Sequence, residues 1–215
     1  MSRLADRGHA PPLPEQEGLR LTQPSRRART ITNVAPPFDQ IEPRLHRLRA
    51  FVLNDLEGVV GREVGGNYAA TALVVSAYDA LGDLSKKEGW VLFGERLPAP
   101  WRPVAKSLYE ALRNGLVHHY DPKVIVVDGR RIELCISWRE RPHLSLQGAR
   151  VYLNVQQMAV DLRGTFEDYE AVLRHDAALR DRFWRRAGTR EVHVYSPQEA
   201  QAWRELLGPP TVGAS

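Results

Sequence analysis

The chain has 215 residues, 43% of them hydrophobic and 26% charged, with a net charge of +4 at pH 7, which suits one domain with a single hydrophobic core and a small appendage. Its one cysteine, Cys135, excludes an internal disulfide and a cysteine-rich zinc site. No apolar run approaches the ~18 residues that a membrane helix needs, and residues 1–30 lack the apolar block of a signal peptide. We therefore expect a cytoplasmic protein that does not contact a membrane.

Residues 1–37 are predicted to be a disordered basic tail. Six of the 15 prolines precede Phe38, and residues 1–30 carry six arginines against three acidic residues, which is +3 of the net charge. Such a tail solvates the chain or adds nonspecific affinity for RNA through phosphate contacts. A folded domain is expected over 38–208, and a second, short disordered tail over 209–215.

Two amphipathic helices open the predicted domain. The first begins near Phe38, and its apolar positions recur every three to four residues up to Val59. A glycine pair breaks this pattern, and the second helix runs from Asn67 to about Gly89, where basic residues and a glycine suit a C-terminus. A connecting stretch over 90–100 then leads to the next helix.

The third helix carries the most informative segment, Arg113-Asn114-Gly115-Leu116-Val117-His118-His119-Tyr120. Apolar residues spaced by three and four give this helix one buried face. We expect it to run from Trp101 to about Tyr120. Asp121-Pro122 ends it, because proline disfavours the helical conformation in the residue before it.

The residue types of this segment suit phosphodiester chemistry. The two histidines of the last turn lie beside unpaired carbonyls, whose partial negative charge favours the imidazolium form. Arg113 is permanently charged and presents a planar fork of donors to phosphate oxygens. On an ideal helix Asn114 and His118 share a face, whereas Arg113 and His118 are roughly 140° apart. The site therefore needs a long arginine reach or a partner chain.

The same residues also have a purely structural interpretation. Arg113 can pair with a carboxylate, such as that of Glu110 or Asp121, for little gain in stability. Asn114 can be an ordinary polar residue near a helix end, and the two histidines can cap the last carbonyls.

After this segment the pattern changes to period two. Residues 124–127 and 130–138 flank Asp128-Gly129, and Asp-Gly suits a type I′ turn, so we expect a β-hairpin with one buried face. Residues 143–146 and 151–155 are expected to extend it into a small antiparallel meander.

Helical spacing returns from Met158 to Leu173 and predicts the fourth core helix. A basic cluster with interleaved aromatic residues follows, in which the candidate RNA contacts are Arg180, Arg182, Trp184, Arg185 and Arg186. Arginine and aromatic side chains can grip a phosphate backbone and stack on bases, although such a run also suits a solvated helix face. A short strand at 191–195 and a last helix capped by Ser196 complete the domain.

The helix with Arg113 resembles the motif helix of the HEPN (higher eukaryotes and prokaryotes nucleotide-binding) domains. Their hallmark is an arginine, a polar residue and a histidine, with four to six positions between arginine and histidine. Arg113-Asn114 matches with His118 at four intervening residues and with His119 at five. Residues 108–118 look like the motif helix of a largely uncharacterised bacterial branch, and residues 67–82 look like the second helix of such domains.

The resemblance covers residues 39–120 and, more weakly, 150–187. It implies a mainly α, up-down helical bundle, from whose simplest form the β insertion at about 123–155 departs. In active members it implies metal-independent RNA cleavage, without a cofactor, at a site assembled in a homodimer, as in toxin or phage-defence systems with an antitoxin partner.

By this resemblance Arg113 is the electrostatic clamp, His118 or His119 the general acid or base, and Asn114 a residue that orients the histidine or the phosphate. The alternative is a noncatalytic HEPN-like scaffold that binds RNA or protein. We find no glycine-rich phosphate loop, zinc-ligand spacing or serine elbow in the sequence.

Overall fold

Helices make up most of the structure, a computed structural model that describes residues 35–60, 66–138, 141–188 and 196–207. The helices are α1 (Phe38–Val60), α2 (Asn67–Ser85), α3 (Gly89–Arg96), a 3-10 helix (Ala99–Val104), α4 (Ala105–His119), α5 (Val155–His175), α6 (Ala177–Gly188) and α7 (Pro197–Leu207). The strands are β1 (Ile125–Val127), β2 (Arg130–Ser137), β3 (Ser145–Gln147) and β4 (Arg150–Asn154). The predicted class, mainly α with a small sheet, is confirmed.

The central helix of the core is α2, which packs against α1, α3, α4, α5 and α6. Its sequence is apolar around most of its circumference, and a helix of that kind belongs in the interior. Val74, Val75, Tyr78 and Leu81 are almost completely buried along it. Each of the surrounding helices therefore covers one side of α2 with its own apolar stripe.

Ion pairs between α1 and α5 show that these two helices run in opposite directions. Glu42 pairs with Arg174 (3.6 Å) near the start of α1 and the end of α5. Glu57 pairs with Arg163 near the other ends.

Helices α2 and α4 are also antiparallel. The ring of Tyr68 at the start of α2 stacks on Tyr120 just after α4, with 6.0 Å between centroids, while Asp79 near the end of α2 meets Tyr109. An up-down arrangement therefore holds for α1 with α5 and for α2 with α4.

The expected connection over 90–100 is wrong, because most of it is helical. Leu92, Phe93 and Leu97 are buried in the core, which holds α3 and the following 3-10 turn against the bundle. Consequently α4 begins at Ala105 rather than at Trp101. A helix of only two turns shows too little periodicity to be distinguished from a loop.

The predicted β-hairpin is confirmed. β1 and β2 pair antiparallel around a two-residue turn. Asp128 (φ 49°) and Gly129 (φ 75°) both have positive φ, as a type I′ turn requires. Alternate side chains of β2 turn towards the core, with Leu134 the most deeply buried.

The predicted antiparallel meander is wrong. The sheet is mixed, with strand order β1-β2-β4-β3, and β4 runs parallel to β2 and antiparallel to β3. Val151 and Leu153 of β4 are fully buried, whereas Leu146 of β3 is exposed. The more apolar strand thus takes the central position, and the short β3 becomes the edge.

Asn154 joins the sheet to the core helix that follows it. Its side-chain oxygen accepts hydrogen bonds from the backbone N–H groups of Gln156 (3.0 Å) and Gln157 (3.1 Å), which caps α5. Its amide donates to the backbone oxygen of Arg141 (3.1 Å), and its backbone N–H donates to Nδ1 of His143 (3.1 Å).

The last described helix begins with a reciprocal cap. The backbone N–H of Ser196 donates to the Glu199 carboxylate (2.9 Å), and the backbone N–H of Glu199 donates to Ser196 Oγ (3.3 Å). The prediction that Ser196 caps a last helix is confirmed. The predicted strand at 191–195, the tail over 209–215 and almost all of the tail over 1–37 lie outside the described residues. Within the described residues, no helix combines the length and apolar character needed to cross a membrane.

His143 predicts how stability depends on pH. Burial lowers the pKa of this imidazole, and its Nε2 is buried without a partner. The unfolded chain therefore binds the proton more readily, so stability present above the unfolded pKa of about 6.5 is lost as pH falls through the lower folded pKa. We expect urea unfolding at pH 7.5, 6.5 and 5.5 to show this loss.

The variant His143→Asn keeps an acceptor near the position of Nδ1 but cannot titrate, so its stability should depend less on pH in this range. His46→Asn, at an exposed position of α1, serves as the control and should keep the wild-type dependence. Equal pH dependence in His143→Asn and the wild type would contradict the assignment.

Candidate functional site

The chain folds back over α4 directly after the Arg113 segment. Tyr120 adopts the left-handed conformation (φ 57°), and its backbone N–H donates to the oxygen of Leu116 (3.3 Å). The backbone N–H of Lys123 donates to the oxygen of Ala111 (3.0 Å). A backbone donor therefore occupies the Leu116 carbonyl near the end of α4, and another reaches the Ala111 carbonyl in its middle. Neither His118 nor His119 donates to a carbonyl within the described residues, so their interpretation as caps finds no support.

Gly115 makes this fold-back possible. A Cβ at this position would lie 2.3 Å from the backbone oxygen of Asp121 and 2.6 Å from the backbone nitrogen of Lys123. Both neighbours are backbone atoms, which cannot move aside as a flexible side chain can. The glycine between Asn114 and Leu116 is thus required by packing.

Arg113 points from α4 towards α2 and forms an ion pair with Asp79. Its Nε donates to Oδ2 of Asp79 at 2.5 Å, and this hydrogen bond, with the carboxylate charge, raises the pKa of Arg113. The structural interpretation of Arg113, pairing with a carboxylate, is therefore found, but the carboxylate is Asp79 rather than Glu110 or Asp121. Asp79 is the one charged residue in the apolar run 67–82, which is the signal that could have drawn attention to it.

Tyr109 holds the other oxygen of the Asp79 carboxylate. The Tyr109 hydroxyl lies 2.8 Å from Oδ1 of Asp79 and 2.8 Å from the backbone oxygen of Val75. Burial, followed by the interaction with Asp79, raises the pKa of Tyr109, so the hydroxyl stays protonated and acts as a donor. The Asp79 carboxylate is therefore held by the neutral Tyr109 hydroxyl on its buried side and by the Arg113 guanidinium on its exposed side.

Several polar groups of residues 113–120 have no hydrogen-bond partner among the described residues. The two terminal nitrogens of Arg113 have no hydrogen-bond partner among the described residues, and the side chain is 50% exposed. His118 and His119 are exposed, their ring centroids are 6.4 Å apart, and neither forms a hydrogen bond within the described part of the chain. Asn114 is partly buried and also forms no side-chain hydrogen bond there. No hydrogen bond joins Arg113 to either histidine.

Two arginines of the basic cluster serve the fold. Arg180 donates to the backbone oxygens of Pro36 (3.0 Å), Leu173 (3.0 Å) and Arg174 (3.1 Å), which ties the corner between α5 and α6 to the start of α1. Arg182 donates to the backbone oxygen of Asp83 (2.8 Å). The guanidinium groups of Arg180 and Arg182 therefore donate hydrogen bonds to backbone oxygens of the fold.

The outer residues of the cluster lie further along α6. Arg185 pairs with Asp181 (2.8 Å) and Arg186 with Asp83 (3.5 Å), and both arginine side chains are more than half exposed. Trp184 packs against the core and lies beneath the guanidinium of Arg44, 3.9 Å from the ring centroid. Direct RNA contact by these residues stays a prediction, and Arg185 and Arg186 are better placed for it than Arg180 and Arg182.

Among the described residues, no three His, Cys, Asp or Glu side chains are grouped so that they could hold a metal ion. Comparison of the chain with protein-family models, curated proteins and solved structures found no match.

Gly115→Ala should destabilise the fold by about 1–3 kcal/mol, because overpacking against fixed backbone carries a cost of that order. Gly58→Ala is the matched control. Gly58 lies inside α1 with nothing within 4 Å of an added Cβ, so alanine there should raise stability by roughly 0.5–1 kcal/mol. Urea unfolding of both variants tests this, and an unchanged midpoint for Gly115→Ala would contradict the packing argument.

The ion pair between Arg113 and Asp79 should contribute little to stability. Both side chains are substantially exposed, at 50% and 38%, and pairs of this kind are worth about 0–1 kcal/mol. A double-mutant cycle of Arg113→Ala and Asp79→Ala, followed by urea unfolding, should therefore give a coupling energy below about 1 kcal/mol.

The more exposed pair of Lys106 and Glu110 on α4, 3.8 Å apart, provides the reference cycle. A coupling of several kcal/mol for Arg113 with Asp79 would instead make the pair a structural element of the core.

Proposed function

We propose that the chain is a HEPN-like, metal-independent endoribonuclease that acts as a homodimer. Arg113 binds the scissile phosphate, and His118 or His119 transfers the proton. The observation that carries the proposal is that the terminal nitrogens of Arg113 and both imidazoles face solvent without a partner among the described residues. These are the groups that a phosphodiester would engage.

The reaction that suits these groups is transesterification of RNA. One imidazole takes the proton of a ribose 2′-hydroxyl, and the resulting oxygen attacks the adjacent phosphorus. The bond to the 5′-oxygen breaks, and this oxygen leaves with a proton donated by a second imidazole. The products are a 2′,3′-cyclic phosphate and a 5′-hydroxyl. The guanidinium of Arg113 stabilises the charge that develops on the phosphorane.

The contact with Asp79 prepares Arg113 for this role. The carboxylate takes only Nε, so the edge of the guanidinium that carries the two terminal nitrogens remains available for two phosphate oxygens. Tyr109 in turn fixes the carboxylate from the buried side. The charged end of Arg113 is therefore oriented before a substrate arrives, which reduces the entropic cost of binding.

The helix geometry supports a dimer. Arg113 and His118 diverge by roughly 140° around one α-helix, and Arg113 turns towards α2. A second copy, packed across the exposed end of α4, would supply a histidine from the other side. If the protein belongs to a toxin or defence system, an antitoxin that covers this surface would inhibit it.

One observation favours a second candidate function. Arg113 has a carboxylate partner, as expected if the segment only stabilises the packing of α4 on α2. The chain would then be a noncatalytic HEPN-like scaffold that binds RNA or protein, and the exposed arginines of α6 would contribute to RNA binding.

Incubation of the full chain with structured RNAs in excess EDTA tests the proposal. The wild type should produce fragments that end in 2′,3′-cyclic phosphate, identified by mass spectrometry. Arg113→Ala and the double variant His118→Ala/His119→Ala should each reduce cleavage by at least about 100-fold, the usual contribution of one acid-base or charge-stabilising group.

Arg47→Ala and His46→Ala change exposed residues of the same types on α1 and should cleave like the wild type. Analytical ultracentrifugation of every variant shows whether a loss of cleavage follows a loss of the dimer. Intact RNA with a folded wild-type protein would turn the assignment to the scaffold, whereas equal cleavage by the histidine double variant would exclude His118 and His119 as the acid-base groups.

A further inference from the structure

The two edges of the sheet differ in how their backbone is protected. At the β3 edge, the chain that precedes the strand folds over it, and the backbone N–H of Ser145 donates to the oxygen of Pro142 (3.3 Å). At the other edge, β1 pairs with β2 and with no further strand among the described residues. The outer side of β1 is therefore the open edge of the sheet.

The turn after β1 determines which of its backbone groups point outwards. Val127 and Arg130 flank this two-residue turn opposite each other, so they form the hydrogen-bonded pair next to it. Hydrogen-bonded and non-hydrogen-bonded pairs alternate along an antiparallel ladder. The N–H and C=O groups of Val126, and of Val124 two residues earlier, therefore point away from β2. They bond to no turn, loop or helix among the described residues, and such an edge is a template for another strand.

The side chains along this edge are apolar and exposed. Val126 is 62% exposed, Val127 48% and Val124 37%. Proteins usually protect an open edge with a charged residue or a proline within the strand, and residues 124–127 contain neither. The β1 edge thus combines unpaired backbone groups with an apolar surface.

The charges at the two ends of β1 favour a second copy of the same strand as its partner. Lys123 precedes the strand and Asp128 follows it, and both side chains are exposed. An antiparallel copy places Lys123 of each chain near Asp128 of the other, whereas a parallel copy would place like charges together. A two-fold axis produces such a self-complementary contact.

We propose that two copies of the chain dimerise by antiparallel pairing of their β1 strands. The two-fold axis passes at Ile125, so Val124 of each copy lies opposite Val126 of the other, and each such pair exchanges two backbone hydrogen bonds. An axis at Val124 would place Pro122, which lacks an N–H, in the ladder. An axis at Val126 would place Asp128 of the turn (φ 49°) there.

Arg130 and Arg131 of β2 do not prevent this pairing. Both are exposed, but the β1 strands of the two copies separate them from their counterparts. Neighbouring strands lie about 4.8 Å apart, so three spacings put the two β2 strands about 14 Å apart. This distance exceeds the Debye length of about 8 Å at physiological ionic strength, and the repulsion is largely screened.

The pairing also defines a geometry for the proposed ribonuclease dimer, and this role rests on the proposed function. Ile125 packs against the helical core, and α4 contacts β1. A two-fold axis perpendicular to the paired strands keeps the same faces of both sheets on one side. Both α4 helices then lie against one face of the joined sheet, where a single RNA can contact residues of both copies.

Sedimentation velocity of the full chain over a roughly 100-fold range of concentration tests the proposal. One short strand buries only a part of the ~1,600 Å² of a standard interface, so the dimer should dissociate on dilution. Val126→Pro removes the outward N–H and keeps the bonds to β2, since proline is tolerated where the N–H faces solvent. It should raise the dissociation constant at least about 10-fold.

Val126→Lys and Leu146→Lys form a matched pair of variants on opposite edges. The two side chains are 62% and 60% exposed, so lysine should leave the fold intact at both positions. A charge at the edge opposes strand pairing. Val126→Lys should therefore weaken the dimer as Val126→Pro does, whereas Leu146→Lys should dimerise like the wild type.

A disulfide tests the register. Cys135→Ser removes the native thiol, and Ile125→Cys in this background should face its counterpart as a non-hydrogen-bonded pair. The Cα atoms of such a pair are about 4.5 Å apart, a distance that a disulfide can bridge. Mild oxidation should link this variant into dimers, whereas Leu146→Cys in the same background should cross-link more slowly.

A wild type that stays monomeric, or a dimer that Val126→Pro and Val126→Lys leave unchanged, would overturn the proposal. A dimer in which Ile125→Cys does not cross-link would overturn the register. These measurements contain no RNA, so they are separate from the ribonuclease assay. A β1 dimer that cleaves no RNA would support this interface and reject the ribonuclease, whereas RNA cleavage by a dimer that both Val126 variants leave unchanged would do the reverse.

Discussion

The arrangement of this protein depends on a close backbone contact between the end of α2 and the start of α3. A Cβ at Gly82 would lie 2.7 Å from the backbone oxygen of Lys87, and one at Gly89 would lie 2.5 Å from the hydroxyl of Tyr109 and 2.8 Å from Oδ1 of Asp79. The absence of two side chains lets three helices meet at one point. The same contact sets Asp79 against Tyr109, and so directs Arg113, and it places α3 where Leu92 and Phe93 are buried in the core.

The elements that the sequence predicts well are those whose pattern is long or whose turn chemistry is specific. α1 and α2 begin at Phe38 and Asn67 as expected, because several turns of apolar periodicity outweigh local ambiguity. The Asp128-Gly129 turn is correct because few residue pairs tolerate positive φ at both positions. The parallel pairing of β2 with β4 could not be predicted in this way, since it depends on which strand buries more apolar surface once the helices are assembled.

The same distinction applies to the candidate site, where positions set by one helix could be predicted and contacts between helices could not. Residues 113–119 are local in sequence, so their shared position near the end of α4 follows from helix geometry alone. Asp79 is 34 residues from Arg113, and only the packing of α2 on α4 brings the two together. The sequence was equally ambiguous about the role of the arginines in the basic cluster. Arg180 donates to three backbone oxygens, and composition alone does not distinguish an arginine with this role from one that binds phosphate.

The ion pair of Arg113 with Asp79 bears on both candidate functions, and its strength decides how much it counts for either one. A half-exposed ion pair is worth about 1 kcal/mol at most, whereas a bidentate, charge-assisted contact with a phosphate in a closed dimer would be roughly twice as strong as a neutral hydrogen bond. Binding a phosphate through the two terminal nitrogens does not require Nε to leave Asp79. The carboxylate and the substrate can therefore share the guanidinium, and pairing with Asp79 is compatible with catalysis rather than an argument against it. What separates the two functions is the pair His118 and His119, which are exposed and form no hydrogen bond or ion pair within the described residues.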